Sequence, residues 1–491
     1  MLVEVVLLGV LLLLLRKALK KPSEYPPGRW GLPLVGYVPL PGPTYQDHLR
    51  NLNKKHGDLY LWRMGAQLMV YVHDFRLMRD AFSRPEFTDR PDFQIFSFLE
   101  EKVLGVVGTN GDAWVNNRRF SLRQLRDLGM GKSRLVDAVQ RQATWLVEVF
   151  KKQAGKAAPV PYALRVAIVN VIWQLVAGKQ FDIEDPKMQE FEKLMDEILS
   201  NQDRASIQDF LPWLRYIMPS SVFKRLSKYD STVYSKNKFL TYFFEVIEEH
   251  QATLNPGEPR DLIDGYLMEM EQKKNDPDTT RSKRDLAFLV LDLFFAGNET
   301  TTTTVTWVFY YLANHPRVQQ KLQAEIDAVL TDGRLATLED KPRLPYTEAV
   351  IHEVLRMSSL IPTGVPHVAS RDTTLGGYTI PKGAVINGTT FTIHRDPRYW
   401  DNPDEFLPER WLDSDGKFVT KKEGFLPFGV GKRQCLGESL ARMEILVFST
   451  TVLQQVSFSV PPGKTVSLKP DPRVRIAQLP IAQDLLASVR G

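Results

Sequence analysis

The sequence predicts a mainly α fold with a smaller β-rich part. Helical periodicity dominates residues 44–360. Past residue 365 the period shortens to strand-like alternation in VPHVASRDTTLGGYTIPKGAVINGTTFTIHRD, with Gly376-Gly377 and Pro381-Lys382-Gly383 as hairpin turns. The 491 residues are 43% apolar and 25% charged, near the globular average, which excludes wholesale disorder, a collagen-like fibre and a disulfide-rich mini-scaffold. A mean hydropathy of -0.23 excludes a polytopic membrane protein. A net charge of +5 is too small to argue for a nucleic-acid partner.

Residues 2–15, LVEVVLLGVLLLLL, precede Arg16-Lys17 and Lys20-Lys21. The run is shorter than the ~20 residues of a full span and contains Glu4. A cleaved signal peptide and an interfacial segment are competing readings. The basic flank and the lack of a small-x-small cleavage site favour an uncleaved signal-anchor over 1–21, with the rest of the chain cytoplasmic. Residues 22–43 are dense in proline and glycine and predict a stiff, irregular hinge. Residues 44–491 then form one domain, without internal repeats. The polar stretch 254–284 reads as a solvated loop between helices.

The stretch 284–315, RDLAFLVLDLFFAGNETTTTTVTWVFYYLANH, predicts a long helix stopped by Pro316. It is apolar nearly all round, so it runs through a core. Asp292, Asn298 and Glu299 argue against a membrane span. Its centre breaks the pattern: Ala296-Gly297 removes bulk, and Asn298, Glu299 and Thr300 to Thr304 follow. Such a gap with an acid and hydroxyls suits a functional groove. A kinked packing helix with satisfied polar groups is the alternative.

The chain has one cysteine, which excludes an internal disulfide, a multi-thiolate zinc site and a four-cysteine iron–sulfur cluster. Cys435 follows a glycine-rich loop in FLPFGVGKRQCLGESLARME (425–444) and precedes a segment of helix character. A helix N-terminus, together with Lys432 and Arg433, favours thiolate, the metal-ligating form. A lone cysteine is otherwise more often an inert buried thiol.

Phe428-x-x-Gly431-x-Arg433-x-Cys435-x-Gly437 resembles the haem-thiolate signature of the cytochrome P-450 family. Other family motifs lie in the right order. Glu353-Val354-Leu355-Arg356 looks like E-x-x-R, and Pro408-Glu409-Arg410-Trp411 resembles P-E-R-F with tryptophan for phenylalanine. Ala296-Gly297-Asn298-Glu299-Thr300-Thr301 resembles the oxygen-activating motif, and Trp114-x-x-x-Arg118 the haem-propionate motif. FSLRQLRDLGMGK (120–132) resembles the microsomal drug- and steroid-hydroxylating branch. The likeness covers essentially the whole chain.

The resemblance implies the P-450 fold, with its long central helix over haem b, and one haem-thiolate catalytic domain over 44–491. It implies a monooxygenase that places one oxygen atom from O2 into a C–H or double bond. Cys435 would be the axial iron ligand. Arg433, Trp114, Arg118 and His367 would hold the haem propionates, and Glu299 and Thr300 would guide water and protons. Glu353, Arg356 and Arg410 would form a buried network behind the cysteine loop. Val107, Phe295, Ala296, Ile361 and Val365 would line an apolar pocket, suiting a steroid, terpenoid, fatty acid or xenobiotic.

No dinucleotide fingerprint is complete, since Gly429-x-Gly431 lacks its third glycine at Gln434, so electrons must come from another protein. Arg119, Arg123, Arg126, Lys132 and Lys432 offer a basic face for an acidic flavoprotein. NADPH–cytochrome P-450 reductase, with cytochrome b5 as a second donor, at the endoplasmic reticulum membrane is the implied setting. A haem-thiolate isomerase or dehydratase, or a haem sensor, is the competing class; the complete Glu299-Thr300 motif argues against both.

Overall fold

In the computed structural model the apolar run forms one helix, Lys283–Asn314, displaced by one residue from its expected bounds. The structure describes residue 9 and residues 19–37, 45–130, 133–277 and 279–490. Most of the expected anchor, residues 38–43 of the hinge and Lys132 lie outside these. Among the described residues no helix is long and apolar enough to cross a membrane.

Ser282 caps the central helix by accepting the Asp285 N–H at 3.0 Å, and His315-Pro316 ends it. Its burial comes from four helices packed around it: Ala163–Ala177, Tyr229–Ala252, Pro345–Ser358 and Glu438–Gln455. The first of these is itself apolar on all sides and almost wholly buried, which suits a helix inside a core. The main hydrophobic core runs through these helices without a break.

The β part is divided, and the three-stranded sheet Ala157–Pro159, Asp484–Val489 and Val456–Ser459 packs on the main helical core. The five-stranded sheet has the order Gly28–Arg29, Leu59–Met64, Gln67–Val72, Val385–Gly388 and His367–Val368. Leu59–Met64 and Gln67–Val72 pair antiparallel as a hairpin, whereas Gln67–Val72 and Val385–Gly388 run parallel. Gly376 and Gly377 turn a two-stranded hairpin, Thr373–Leu375 with Tyr378–Ile380, at φ 57° and 82°. Those positive φ values are the reason for two glycines.

Two local expectations are corrected. Residues 254–284 are no plain loop, because Leu262–Gln272 is a helix capped by Asp261. Its Leu262, Ile263, Tyr266 and Leu267 form a buried stripe that the polar flanks obscured. The threonine-rich end of the strand region turns helical at Thr390–Ile393. Thr389 sits just past the Val72–Gly388 pair and its hydroxyl donates to the Val72 carbonyl at 2.8 Å, which ends the strand despite the β-propensity of the next four residues.

Candidate active site

Cys435 lies three residues before the helix Glu438–Gln455, as its context led us to expect. Its N–H donates to the Phe428 carbonyl at 2.9 Å, which closes the loop. Gly431 has φ +82°, and a Cβ there would stand 2.1 Å from the Phe82 carbonyl oxygen, so only glycine fits. Burial pushes the Cys435 thiol up; the Gly437 N–H opposes this, Glu438 reinforces it and Arg118 opposes it. Cys435 still keeps exposed surface, so the protein desolvates the sulfur without covering it. Of the adjacent cations, Lys432 is exposed and Arg433 is drawn inward. A bound metal deprotonates a coordinating thiol outright.

Arg433 donates to the carbonyls of Thr88 at 2.9 Å and Thr109 at 2.6 Å, and its guanidinium stacks 4.0 Å from the Trp114 ring. Trp114 and Arg118 share a face of the helix Gly111–Asp127, and Arg118 donates to the Gln434 carbonyl at 2.6 Å. A third arginine, Arg90, is buried beside them and donates to the carbonyls of Val365 at 2.9 Å and Pro366 at 2.8 Å. Among the described residues none of the three forms an ion pair. Burial lowers the pKa of each: Arg433 falls to about 9, and the neighbouring cations Arg433 and Arg118 push Arg90 down further. His367 is buried, stacks on Phe82 at 3.9 Å and places Nδ1 2.6 Å from the Phe87 carbonyl. Burial, then Arg90 and Arg433, hold its pKa well below the usual value. Its Nδ1–H is thus committed to Phe87, and the neutral ring leaves Nε2 an acceptor.

This cluster fits a flat dianion such as haem. Three partly desolvated guanidinium groups, which form no ion pair among the described residues, favour negative charge nearby, although Asp89 partly offsets the charge of Arg433. A Cβ at Gly429 or Gly437 would meet nothing within 4 Å, so both sides of the cysteine loop admit close approach. Ala296 is exposed in mid-helix although most of its helix is buried.

Ala296 and Thr300 are four residues apart and share a helix face. The Thr300 hydroxyl donates to the Ala296 carbonyl at 2.6 Å, and the Thr304 hydroxyl to the Thr300 carbonyl at 2.8 Å. Glu299 behaves otherwise. Its carboxylate pairs with Arg165 of the helix Ala163–Ala177, and Arg165 also stands 3.6 Å from Glu192. The structure therefore aims Glu299 at Arg165 rather than at the Thr300 hydroxyl.

The apolar positions are drawn together by polar ties. Arg90 Nε donates to the Val107 carbonyl at 3.4 Å while its Nη1 holds Val365. Asp292 accepts the N–H groups of Val106 at 2.7 Å and Val107 at 2.9 Å, tying that loop to the central helix. Phe295 packs edge-on to Phe98 and to Phe239. Ile361 is half-buried and accepts the Gly364 N–H at 3.1 Å, one residue before Val365. Sequence reasoning missed Arg90 and Arg165. Arg90, set in Thr-Asp-Arg-Pro-Asp, carries no local signal that separates it from a solvated turn residue.

Behind the loop, Glu353 and Arg356 are wholly buried and paired at 2.7 Å. Glu353 also accepts from Arg410 Nε at 3.0 Å, the Leu407 N–H at 2.9 Å and the Trp411 indole N–H at 2.9 Å. The tryptophan that departs from the P-E-R-F pattern thus contributes a donor that phenylalanine lacks. On the outer surface Arg119, Arg123, Arg126 and Lys432 are exposed, but Arg123 is paired with Glu269 at 2.5 Å.

The family model for Cytochrome P450 matches residues 26–485. The chain is 44% identical over 467 residues to Cytochrome P450 2L1 of Panulirus argus, covering 94% of each chain. It is 36% identical over 457 residues to Cytochrome P450 2J2 of Homo sapiens, covering 92% of this chain and 89% of that one. It is 35% identical over 462 residues to Cytochrome P450 2B2 of Rattus norvegicus, covering 92% and 91%. With a lone cysteine beside a cluster of three arginines and a match over nearly all its length, the chain belongs to the cytochrome P450 family and is a haem-iron monooxygenase.

Proposed function

We propose that the protein hydroxylates or epoxidises a lipophilic small molecule, with electrons from NADPH through NADPH–cytochrome P-450 reductase and with cytochrome b5 as a second donor. The observation that carries this reading is Cys435 with the Arg90, Arg118 and Arg433 cluster beside it. When bound, haem supplies activation of O2 and transfer of one oxygen atom into the substrate. Cys435 ligates the iron, with the Gly437 N–H tempering the charge on sulfur. Arg90, Arg118 and Arg433 bind the propionates, with the Trp114 ring supporting Arg433. His367, beside Arg90 and Arg433, would be a further group near the propionates.

Thr300 holds a proton at Oγ on the substrate side. Glu299 relays protons to it by leaving Arg165, so proton entry is gated by that ion pair. Val107, Phe295, Ala296, Ile361 and Val365 line an apolar pocket that excludes water and accepts a steroid, terpenoid, fatty acid or xenobiotic. Residues 1–21 anchor the chain in the endoplasmic reticulum membrane, residues 22–43 form a hinge, and residues 44–491 are one catalytic body on the cytoplasmic side. The exposed face of the helix Gly111–Asp127, with Lys432, docks the reductase.

The test is the carbon monoxide difference spectrum of the reduced protein. The strongly red-shifted band of thiolate-bound haem is expected, and Cys435→Ala abolishes it. A thiolate-type band retained in Cys435→Ala, or none in folded, haem-loaded wild type, would refute the axial assignment.

A further inference from the structure

The pair Glu353–Arg356 is buried, but neither residue touches the cysteine loop directly among the hydrogen bonds of the described residues. Two ring side chains bridge the gap. Trp411 donates its indole N–H to Glu353 Oε2 at 2.9 Å, and its ring meets Phe425 edge-on at 4.6 Å. His394 is fully buried. Its carbonyl accepts from Arg356 Nη1 at 2.7 Å, and its ring Nε2 accepts the Leu426 N–H at 2.9 Å. Because Nε2 accepts, the proton of the neutral ring lies on Nδ1, which donates to the Ser359 hydroxyl at 2.9 Å. The Ser359 hydroxyl in turn donates to the Arg356 carbonyl at 2.7 Å. The Ser359 oxygen also accepts from Arg395 Nη1 at 3.2 Å, and its one proton is committed to Arg356, so the ring has one orientation. Both bridges land on consecutive residues, Phe425 and Leu426, where the segment carrying Cys435 begins.

We infer that Trp411 and His394 are positioning residues that transmit the fixed geometry of Glu353–Arg356 to the cysteine loop. The inference rests on Cys435 being the iron ligand. Trp411 holds Phe425 through its face and takes its own position from Glu353. His394 holds the Leu426 amide, a buried N–H that has no other acceptor once the imidazole is gone. Without either bridge, the loop keeps its sequence and its helix but loses the fixed point from which Cys435 is aimed.

The experiment follows loss of the thiolate-type carbon monoxide band with time at a fixed, sub-denaturing temperature, and thermal unfolding by circular dichroism. Trp411→Phe keeps the ring contact with Phe425 and deletes only the N–H. His394→Leu deletes the acceptor, and His394→Gln restores one in a side-chain amide. Trp62→Phe is the control: it removes an equally buried indole N–H, given to the Tyr37 carbonyl at 2.7 Å, in the sheet away from the loop.

Band loss about tenfold faster in Trp411→Phe and His394→Leu is expected, the size of one lost hydrogen bond to a charged or buried partner. His394→Gln should recover most of the wild-type rate. Trp62→Phe should lower the unfolding temperature without speeding band loss below it. Amide hydrogen exchange over 425–437 is the second readout and should quicken in the two deletion variants, including any that lose haem. Band loss and exchange at wild-type rates, or changes that follow unfolding temperature as in Trp62→Phe, would overturn the inference. A wild type without the thiolate band would defeat the haem-thiolate reading beneath it instead.

Discussion

At Thr300 a hydroxyl is set apart from its neighbours by what surrounds it. Thr304 and Thr306 donate to the carbonyls of Thr300 and Thr302, and Thr302 contacts Asn298, so these groups are engaged within the helix. Thr300 also donates backward, to Ala296, but it does so on the face where Ala296 is exposed. Its oxygen can therefore accept a hydrogen bond from water while its own proton rests on a carbonyl. Thr300→Ala removes that station and leaves the backbone ladder intact. Haem binding and electron uptake should persist, while product formed per NADPH falls about tenfold or more and peroxide rises, in line with the usual worth of a positioned proton donor. Thr304→Val removes a hydroxyl of the same kind away from Ala296 and should leave coupling unchanged. Equal coupling in Thr300→Ala and wild type would remove the residue from the proton path.

Between elements, the central helix holds the loop at Gly105–Val107 through two carboxylates with different surroundings. Asp285 accepts from the Gly105 N–H at 3.0 Å, Asn117 at 2.9 Å and the Tyr266 hydroxyl at 2.7 Å. Asp292 has only the two loop amides, and burial, helped by the charge of Asp285, raises it to about 7. The unfolded carboxyl titrates near 3.9. Between those values the folded chain binds more protons than the unfolded one, so stability falls as pH rises from about 4 to about 7 and is level above. A shift of this size is worth at most roughly 4 kcal/mol. Asp292→Asn keeps an acceptor for both amides and does not titrate, so it should lose this part of the pH dependence and gain on wild type between about pH 5 and about pH 8 in denaturant midpoints. Parallel pH profiles would show that the Asp292 carboxyl is not raised in the fold and is as charged there as in the unfolded chain. The same tie marks where the sequence was legible. The long helix, the cysteine loop and the order of motifs could be read directly, because each is local in sequence. Arg90, Arg165 and the bridge at His394 could not, because each acts on residues far along the chain. The missed helix Leu262–Gln272 belongs with these: its Tyr266 is fixed by Asp285 of the next helix, not by its own polar neighbours.

The whole molecule has sides, and they bear on where it works. Leu32 and Leu34 of the hinge are 61% and 63% exposed, and Tyr216 and Ile217 are 74% and 70% exposed. The Trp213 indole N–H donates to the Leu34 carbonyl at 3.1 Å, so the hinge and the segment Leu214–Ile217 are held side by side. An apolar surface of this kind marks a site for a partner or a membrane. Its contact with the hinge, which leads back toward residues 1–21, favours lipid over a protein partner. If residues 1–21 anchor the chain as proposed, that attachment alone leaves the body free to rotate, whereas a second apolar contact would fix which face meets the bilayer. Burial of two large side chains is worth several kcal/mol, enough to change partition by a factor of ten or more. A chain lacking residues 2–21 should therefore still sediment with vesicles of neutral lipid, and Tyr216→Asp with Ile217→Asp should weaken that partition at least tenfold. The circular dichroism of the double variant should match the parent, since both side chains lie outside the core. Neutral lipid removes the attraction of the basic surface for anionic headgroups, so a loss of binding reports apolar contact alone. Partition of the truncated chain unaltered by the two aspartates would place its lipid contact away from Tyr216 and Ile217, and no partition of the truncated chain at all would assign the exposed face to a protein partner.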